Sequence, residues 1–184
     1  MTATASQRVF FALVPDREAT AQLVDQLHRL PWSDTSRLRW QPQSNWHVTL
    51  RFVGDVDSAR VADLQQVLES TAARHPAFAM TLSAIEVFPS AQRPLVVAAT
   101  GAAPPTAVAL VAELQAGCQQ LSIPADTRVW RPHMSLARVR GRKPLKLPSA
   151  PVHVDFRVQQ ICLMESIATD RGRAYAPLNW AALR

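Results

Sequence analysis

The chain has 184 residues, 48% hydrophobic and 18% charged, with 20 Lys and Arg against 14 Asp and Glu and a formal net charge of +6. That apolar content excludes a disordered chain, and no apolar run approaches the roughly 20 residues of a membrane-spanning helix. The positive balance favours a polyanionic partner such as nucleic acid.

In chain order, the polar start from Met1 to Gln7 carries no signal-peptide pattern. Val9 to Val14 is a continuous apolar run that suits a strand buried on both faces. Pro15-Asp16 opens a helix with Leu23, Leu27 and Leu30 on one stripe, ended by Pro31. Arg37 to Gln41 and His47 to Val53 read as strands, the second broken by Gly54-Asp55. Asp57-Ser58 caps a helix striped by Val61, Leu64, Leu68 and Ala72. Phe78, Met80 and Leu82 alternate, and the slip to Ile85 and Val87 signals a bulge. Pro94 to Thr100 is a strand. After Pro104-Pro105 a third helix carries Val108, Val111, Leu114, Cys118 and Leu121. His133 to Val139 is another strand, followed by a basic loop from Arg140 to Pro148, the most mobile candidate. Val152 to Ile167 holds one or two strands, and Tyr175 to Leu183 forms a last or edge strand. Three helices and about eight strands in this order define an α+β fold with mainly antiparallel sheets.

The strongest motif occurs twice. His47-Val48-Thr49-Leu50 is echoed by His133-Met134-Ser135-Leu136, 86 residues later (133 − 47). On a strand, residues i and i+2 share a face, so each copy presents an imidazole beside a hydroxyl and turns two apolar residues the other way. A single such motif is ordinary strand polarity. Two of only five His heading matching tetrapeptides point to a joint site. Two imidazoles, one neutral and one protonated, can remove and deliver the protons of phosphodiester cleavage near neutral pH. Thr49 and Ser135 can hydrogen-bond the phosphate oxygens. No metal is called for, since the pair lacks the carboxylates of a hard-cation site and the third ligand of a zinc site.

Arg51 shares the alternation of His47 and Thr49 and could face the site or merely solvent. Arg138, five residues after His133, falls on the opposite face unless a twist or bulge returns it. Phe52 belongs by alternation with the core set of Val48 and Leu50. Trp46 and Trp130 flank the motifs and are expected to pack, and His28, His75 and His153 are expected to be surface polar residues. Cys118 and Cys162 stand in no ligand spacing and read as buried thiols of a cytoplasmic protein. With five Gly there is no phosphate-binding glycine loop, and no Gly-x-Ser-x-Gly elbow is present.

Together with their flanks, these residues resemble the two-histidine phosphoesterases, specifically the bacterial and archaeal RNA 2′,3′-cyclic phosphodiesterases, once called 2′-5′ RNA ligases. The resemblance runs through Arg8-Val9-Phe10-Phe11-Ala12-Leu13, Trp46 to Gly54, Arg131 to Arg138 and Leu163-Met164-Glu165-Ser166. It implies a bilobed fold over residues 1–184, two mainly antiparallel sheets with flanking helices around a central groove, and one His strand from each lobe. It implies metal-free hydrolysis of RNA 2′,3′-cyclic phosphate ends to 2′-phosphates, with no cofactor; a monomer with no membrane partner is expected alongside. His47 and His133 would be catalytic, Thr49, Ser135 and Arg138 would bind phosphate, and Phe52 would lie near the substrate. Ser135 stands where many relatives have Thr, and the hydroxyl is kept. The direction of proton transfer is symmetric in the sequence; His133 as base and His47 as acid is the starting assignment. The competing reading is an RNA-end-binding module without turnover.

Overall fold

The computed structural model describes residues 6–32, 35–170 and 172–184; residues 1–5 of the polar start lie outside it. The strands are β1 (Ser6–Leu13), β2 (Leu38–Trp40), β3 (Val48–Asp57), β4 (Phe78–Ser90), β5 (Arg93–Thr100), β6 (His133–Val139), β7 (Ala150–Val158), β8 (Gln160–Thr169) and β9 (Gly172–Ala182). The helices are α1 (Arg17–His28), α2 (Val61–Ala72) and α3 (Pro105–Gln120). The α+β antiparallel architecture matches expectation, with one strand more than the eight read from pattern.

All pairings are antiparallel, in the order β7-β4-β5-β6-β3-β1-β8-β9, with β2 on β6. The two expected sheets are thus joined, but narrowly: β3 meets β6 at the single pair Val48 and Met134. Both residues are fully buried. The seam therefore falls in the middle of the two motif tetrapeptides and brings them together.

Local chemistry explains the elements. Asp16 caps α1 by accepting the Ala19 N–H at 2.7 Å, which satisfies one of the orphan donors of the first turn. The helix stops at His28, before Pro31. Asp57 caps a short 3₁₀ turn, Ser58–Arg60, that leads into α2. Leu64, Leu68 and Ala72 form the buried stripe of α2 as expected. On α3 the buried face is Ala107, Leu110, Leu114 and Cys118. Val108, assigned to that stripe from spacing, is 49% exposed, and Ala107 takes the inward position; further along the same helix Gly117 lies directly over Val67 of α2.

Gly54-Asp55 does not end β3, which continues to Asp57. Val9 pairs with Gly54 and Phe10 with Phe52, leaving Val53 as an extra residue. Gly54 absorbs this bulge at φ +98°, a conformation that costs glycine little. The slip after Leu82 is likewise a bulge in the β4–β7 ladder. β1 is buried on both faces as its apolar run implies: Val9, Phe11 and Leu13 join the main core, while Phe10 and Ala12 form a second cluster with Cys162 and Met164. The 140–148 segment, expected to be mobile, is tied down. The Arg37 guanidinium donates to the carbonyls of Arg140, Lys143 and Pro144, and Leu145 is buried.

Candidate active site

His47 stands immediately before β3 and His133 opens β6. Each is held in the same way. His47 Nδ1 donates to the Asn45 carbonyl at 2.8 Å, and His133 Nδ1 donates to the Arg131 carbonyl at 2.8 Å. A carbonyl only accepts, so the Nδ1 hydrogen is fixed in both rings. Nε2 is left as the exchangeable nitrogen of each imidazole. Aromatic rings fix the planes: Phe10 and Tyr175 lie 4.9 and 4.8 Å from His47, and Phe88 stacks on His133 at 4.2 Å and 15°.

The two motif strands share a second device. β1 pairs Phe11 with Arg51 and Ala12 with Thr49, so Leu50 is an extra residue. β5 pairs Val97 with Ala137 and Ala98 with Ser135, so Leu136 is an extra residue. Each copy therefore bulges at its fourth residue, and each has two consecutive buried positions there: Leu50 and Arg51, Leu136 and Ala137. The bulge reverses the parity of alternation beyond it. As a result Phe52 and Arg138, each five residues after its His, are turned onto the face of the imidazoles.

An open cleft of about 220 Å³ lies on that face, lined by Arg8, Phe10, His47, Thr49, Phe52 and Arg138, and closed on the β8–β9 side by Ser166, Arg173 and Tyr175. His133 flanks it closely enough for its charge to lower the basicity of His47. Ser135 shares the face of His133 by alternation, although it is not among the lining residues. The lining has three arginines and no carboxylate, a field suited to an anion. Arg8 is paired with Asp55 at 2.8 Å and covers the Phe52 ring at 4.8 Å. Among the described residues no group of three or more His, Cys, Asp or Glu is placed to hold a metal ion.

Several assignments change. Arg51, a candidate for substrate contact, is 6% exposed and donates to the carbonyls of Phe52 and Pro124. It braces the bulge from inside; alternation failed because Leu50 shifts the register. Phe52 leaves the core set for the same reason. Trp46 packs as expected, and Trp130 donates to the Thr49 carbonyl at 2.8 Å, tying one motif strand to the approach of the other. His75 is not a free surface residue but pairs with Glu113 at 2.7 Å, and the exposed His153 pairs with Asp155 at 3.0 Å. Arg173, Tyr175 and Ser166 were missed as site residues, although Ser166 lies in the late segment that carried the resemblance. Arg173 donates to Ser166 Oγ at 3.3 Å, and its own carbonyl accepts from the Asn45 side chain at 2.8 Å. Buried Asn45 thus links β9 to the residue that holds His47.

Burial dominates the titration of both imidazoles. Desolvation, with a smaller contribution from the charge of His133, pulls His47 from 6.5 to about 4 against the opposing bond to Asn45. Desolvation also lowers His133, opposed by its bond to the Arg131 carbonyl and assisted by the Arg131 charge. The Cys162 thiol beneath the cleft is pushed up to about 12 by burial and is not a nucleophile.

Comparison with known proteins finds similarity in sequence and in fold. Residues 13–98 match the family model described as LigT-like phosphoesterase, a span that includes the first motif and ends before the second. RNA 2′,3′-cyclic phosphodiesterases of Aeropyrum pernix and Aquifex aeolicus are each 29% identical, over 73% and 74% of this chain and 80% and 77% of their own lengths. A crystal structure from Thermus thermophilus superposes with a TM-score of 0.84 at 25% identity, covering 96% of this chain and 98% of that one. E. coli LigT complexed with 3′-AMP gives 0.79 at 23% identity, over 97% of this chain and 99% of its own. The structural likeness runs through both motifs. The chain is thus similar to the LigT-like phosphoesterases, in sequence over residues 13–98 and in fold over nearly its whole length.

Proposed function

We propose that this cleft hydrolyses RNA 2′,3′-cyclic phosphate ends to 2′-phosphates without a metal, using His47 and His133 as the proton-transfer pair. The observation that carries the reading is the duplicated device: two imidazoles on joined strands, each with Nδ1–H tied to the carbonyl two residues back, beside a cleft lined by arginines. The names of the Aeropyrum and Aquifex relatives support the same reaction.

In this scheme Thr49, Ser135 and Arg138 bind the non-bridging oxygens, and Phe52 offers its ring to the terminal nucleoside. One Nε2 takes a proton from water as its oxygen attacks phosphorus. The other Nε2–H delivers a proton to O3′ as the P–O3′ bond breaks, leaving the 2′-phosphate. Of the two rings, His47 is the harder to protonate, since burial and the His133 charge act on it together. In the singly protonated pair the proton therefore rests on His133. This ordering supports His47 as the base and His133 as the acid, the opposite of the direction first expected from the sequence.

The test is turnover of a 2′,3′-cyclic mononucleotide in the presence of EDTA, with separation of 2′- from 3′-phosphate products. Chelator-resistant formation of the 2′-phosphate is expected. His47→Gln and His133→Gln should each cost about 10²–10⁴-fold in kcat. Losses below about tenfold would refute the two-histidine scheme, and binding of RNA ends with no turnover would favour the non-catalytic module. A cyclic substrate with sulfur at the 3′ bridging position separates the roles, because a thiolate leaves without a proton. It should restore turnover to His133→Gln and not to His47→Gln.

A further inference from the structure

Beyond the cleft, the β2–β6 ribbon carries an arginine block that the reaction does not use. The register pairs Arg39 with Arg138. The Arg140 N–H continues the ladder to the Arg37 carbonyl at 2.8 Å, which sets Arg37 across from Arg140. Cross-strand partners share a face, and so do residues two apart, at roughly 7 Å. Arg37, Arg39, Arg138 and Arg140 therefore stand on one face, the face on which Arg138 enters the cleft. Like charges directly opposite one another destabilise a sheet.

Arg37 has an internal use. Its guanidinium donates to the carbonyls of Arg140 at 3.1 Å, Lys143 at 2.8 Å and Pro144 at 3.0 Å. That clamp ties down the next segment, in which Arg142 is a further exposed cation close in sequence to the block. Among the described residues, the guanidinium groups of Arg39, Arg138, Arg140 and Arg142 have no carboxylate partner. Among the described residues, the result is an in-register row of cations without carboxylate partners that starts at Arg138 in the cleft lining and runs along the β2–β6 ribbon. A solvated basic face would tolerate the same residue types, but it would not need them in register, unneutralised and clamped.

We propose that this line is the track for the RNA strand leading up to the cyclic end, so that the site acts on oligonucleotides in preference to mononucleotides; this rests on the reaction proposed above. Arg138 holds the terminal phosphate, while Arg39, Arg140 and Arg142 meet the phosphodiesters that precede it. Backbone contacts of this kind are insensitive to sequence and sensitive to salt.

The experiment compares a cyclic-phosphate-ended oligonucleotide of about eight residues with a cyclic mononucleotide, from about 50 to about 200 mM salt. The wild type should favour the oligonucleotide, and the preference should shrink as salt rises. Arg39→Ala combined with Arg140→Ala should lower kcat/KM for the oligonucleotide by about tenfold or more, with mononucleotide turnover kept within about twofold. The slope of log(kcat/KM) against log[salt] should flatten by about 0.7 for each phosphodiester that the variant no longer neutralises. Equal losses on both substrates, or none on either, would overturn the track. If the wild type turns over neither substrate, the reaction itself is wrong. Fluorescence anisotropy of the labelled oligonucleotide then decides the track, which falls if the double variant binds as tightly as the wild type.

Discussion

The depressed basicity of His47 has a consequence for stability that needs no substrate. Its folded pKa of about 4 lies below the ordinary 6.5, so between these values the unfolded chain binds a proton that the folded chain does not. Stability from this group is complete above pH 6.5 and is lost as pH falls towards 4. One pKa unit corresponds to about 1.4 kcal/mol. The loss should reach about 2 kcal/mol at pH 5 and about 3 kcal/mol at pH 4. His47→Gln removes the titration while keeping a polar side chain of similar reach. The assay is urea unfolding of both proteins between pH 7.5 and 4, in buffers without phosphate or sulfate, because a bound anion would favour the charged ring. The variant should gain on the wild type as pH falls, by the amounts given. Asp126, held down to about 2 by Arg128, titrates below this range, and other acids common to both proteins cancel in the difference. A wild-type-minus-variant gap that stays constant across the range would refute a desolvated His47.

Four further outcomes are expected. The profile of kcat/KM, which reports the free enzyme, should have its optimum below pH 6.5, since both imidazoles are lowered, and should fall about tenfold per unit at high pH; an optimum above pH 7.5 would contradict this. Thr49→Ala and Ser135→Ala should each reduce kcat/KM by an amount equivalent to about 1.5–3 kcal/mol, the worth of a hydrogen bond to a charged group, and so fall short of the larger His losses in the same assay. Arg51→Met should lower unfolding stability by about 1–3 kcal/mol by stripping donors from two carbonyls, while the same variant, measured at temperatures where it is folded, keeps the KM of the wild type. Arg138→Ala should do the reverse, raising KM for the cyclic mononucleotide without moving the urea midpoint.

The elements were legible where periodicity is clean. The apolar run of β1, the Leu64, Leu68 and Ala72 stripe of α2 and the slip in β4 all read directly as what they are. The two His and two hydroxyls stood out as candidates because the motif repeats, and the structure holds both imidazoles alike and lines the cleft with His47 and Thr49. What alternation could not show was the bulge after each motif. Leu50 and Leu136 are ordinary strand residues, and nothing in a single strand marks one as unpaired; that depends on the neighbouring strands β1 and β5. Strict alternation consequently put Arg51 at the site and Phe52 and Arg138 away from it, the opposite of the observed faces. Arg173 and Tyr175 were illegible for another reason. They reach the cleft from β9, more than 100 residues along the chain, through the hydrogen bond of Asn45 to the Arg173 carbonyl, and no local pattern encodes it.

If the proposed reaction holds, the duplication accounts for how one cleft would serve two chemically different ends of a nucleotide. Up to the fourth residue the copies are equivalent: imidazole, apolar, hydroxyl, apolar, with the same Nδ1 restraint and the same bulge. The bulge then delivers the residue five places after each His to the common face, and there the copies diverge. The first delivers Phe52, an apolar ring; the second delivers Arg138, a cation. A symmetric pair of proton carriers can accept a phosphate in either direction. A ring on one side and a guanidinium on the other cannot, because a nucleobase stacks on the first and an anionic oxygen pairs with the second. Under the proposed reaction, the direction of substrate entry would be set by the two residues that alternation misassigned. Exchanging their characters, as Phe52→Arg with Arg138→Phe, should abolish turnover of the cyclic mononucleotide even though both imidazoles and both hydroxyls remain. Retention of more than about a tenth of the activity, less than the loss of one charge-assisted bond, would show that direction is set elsewhere.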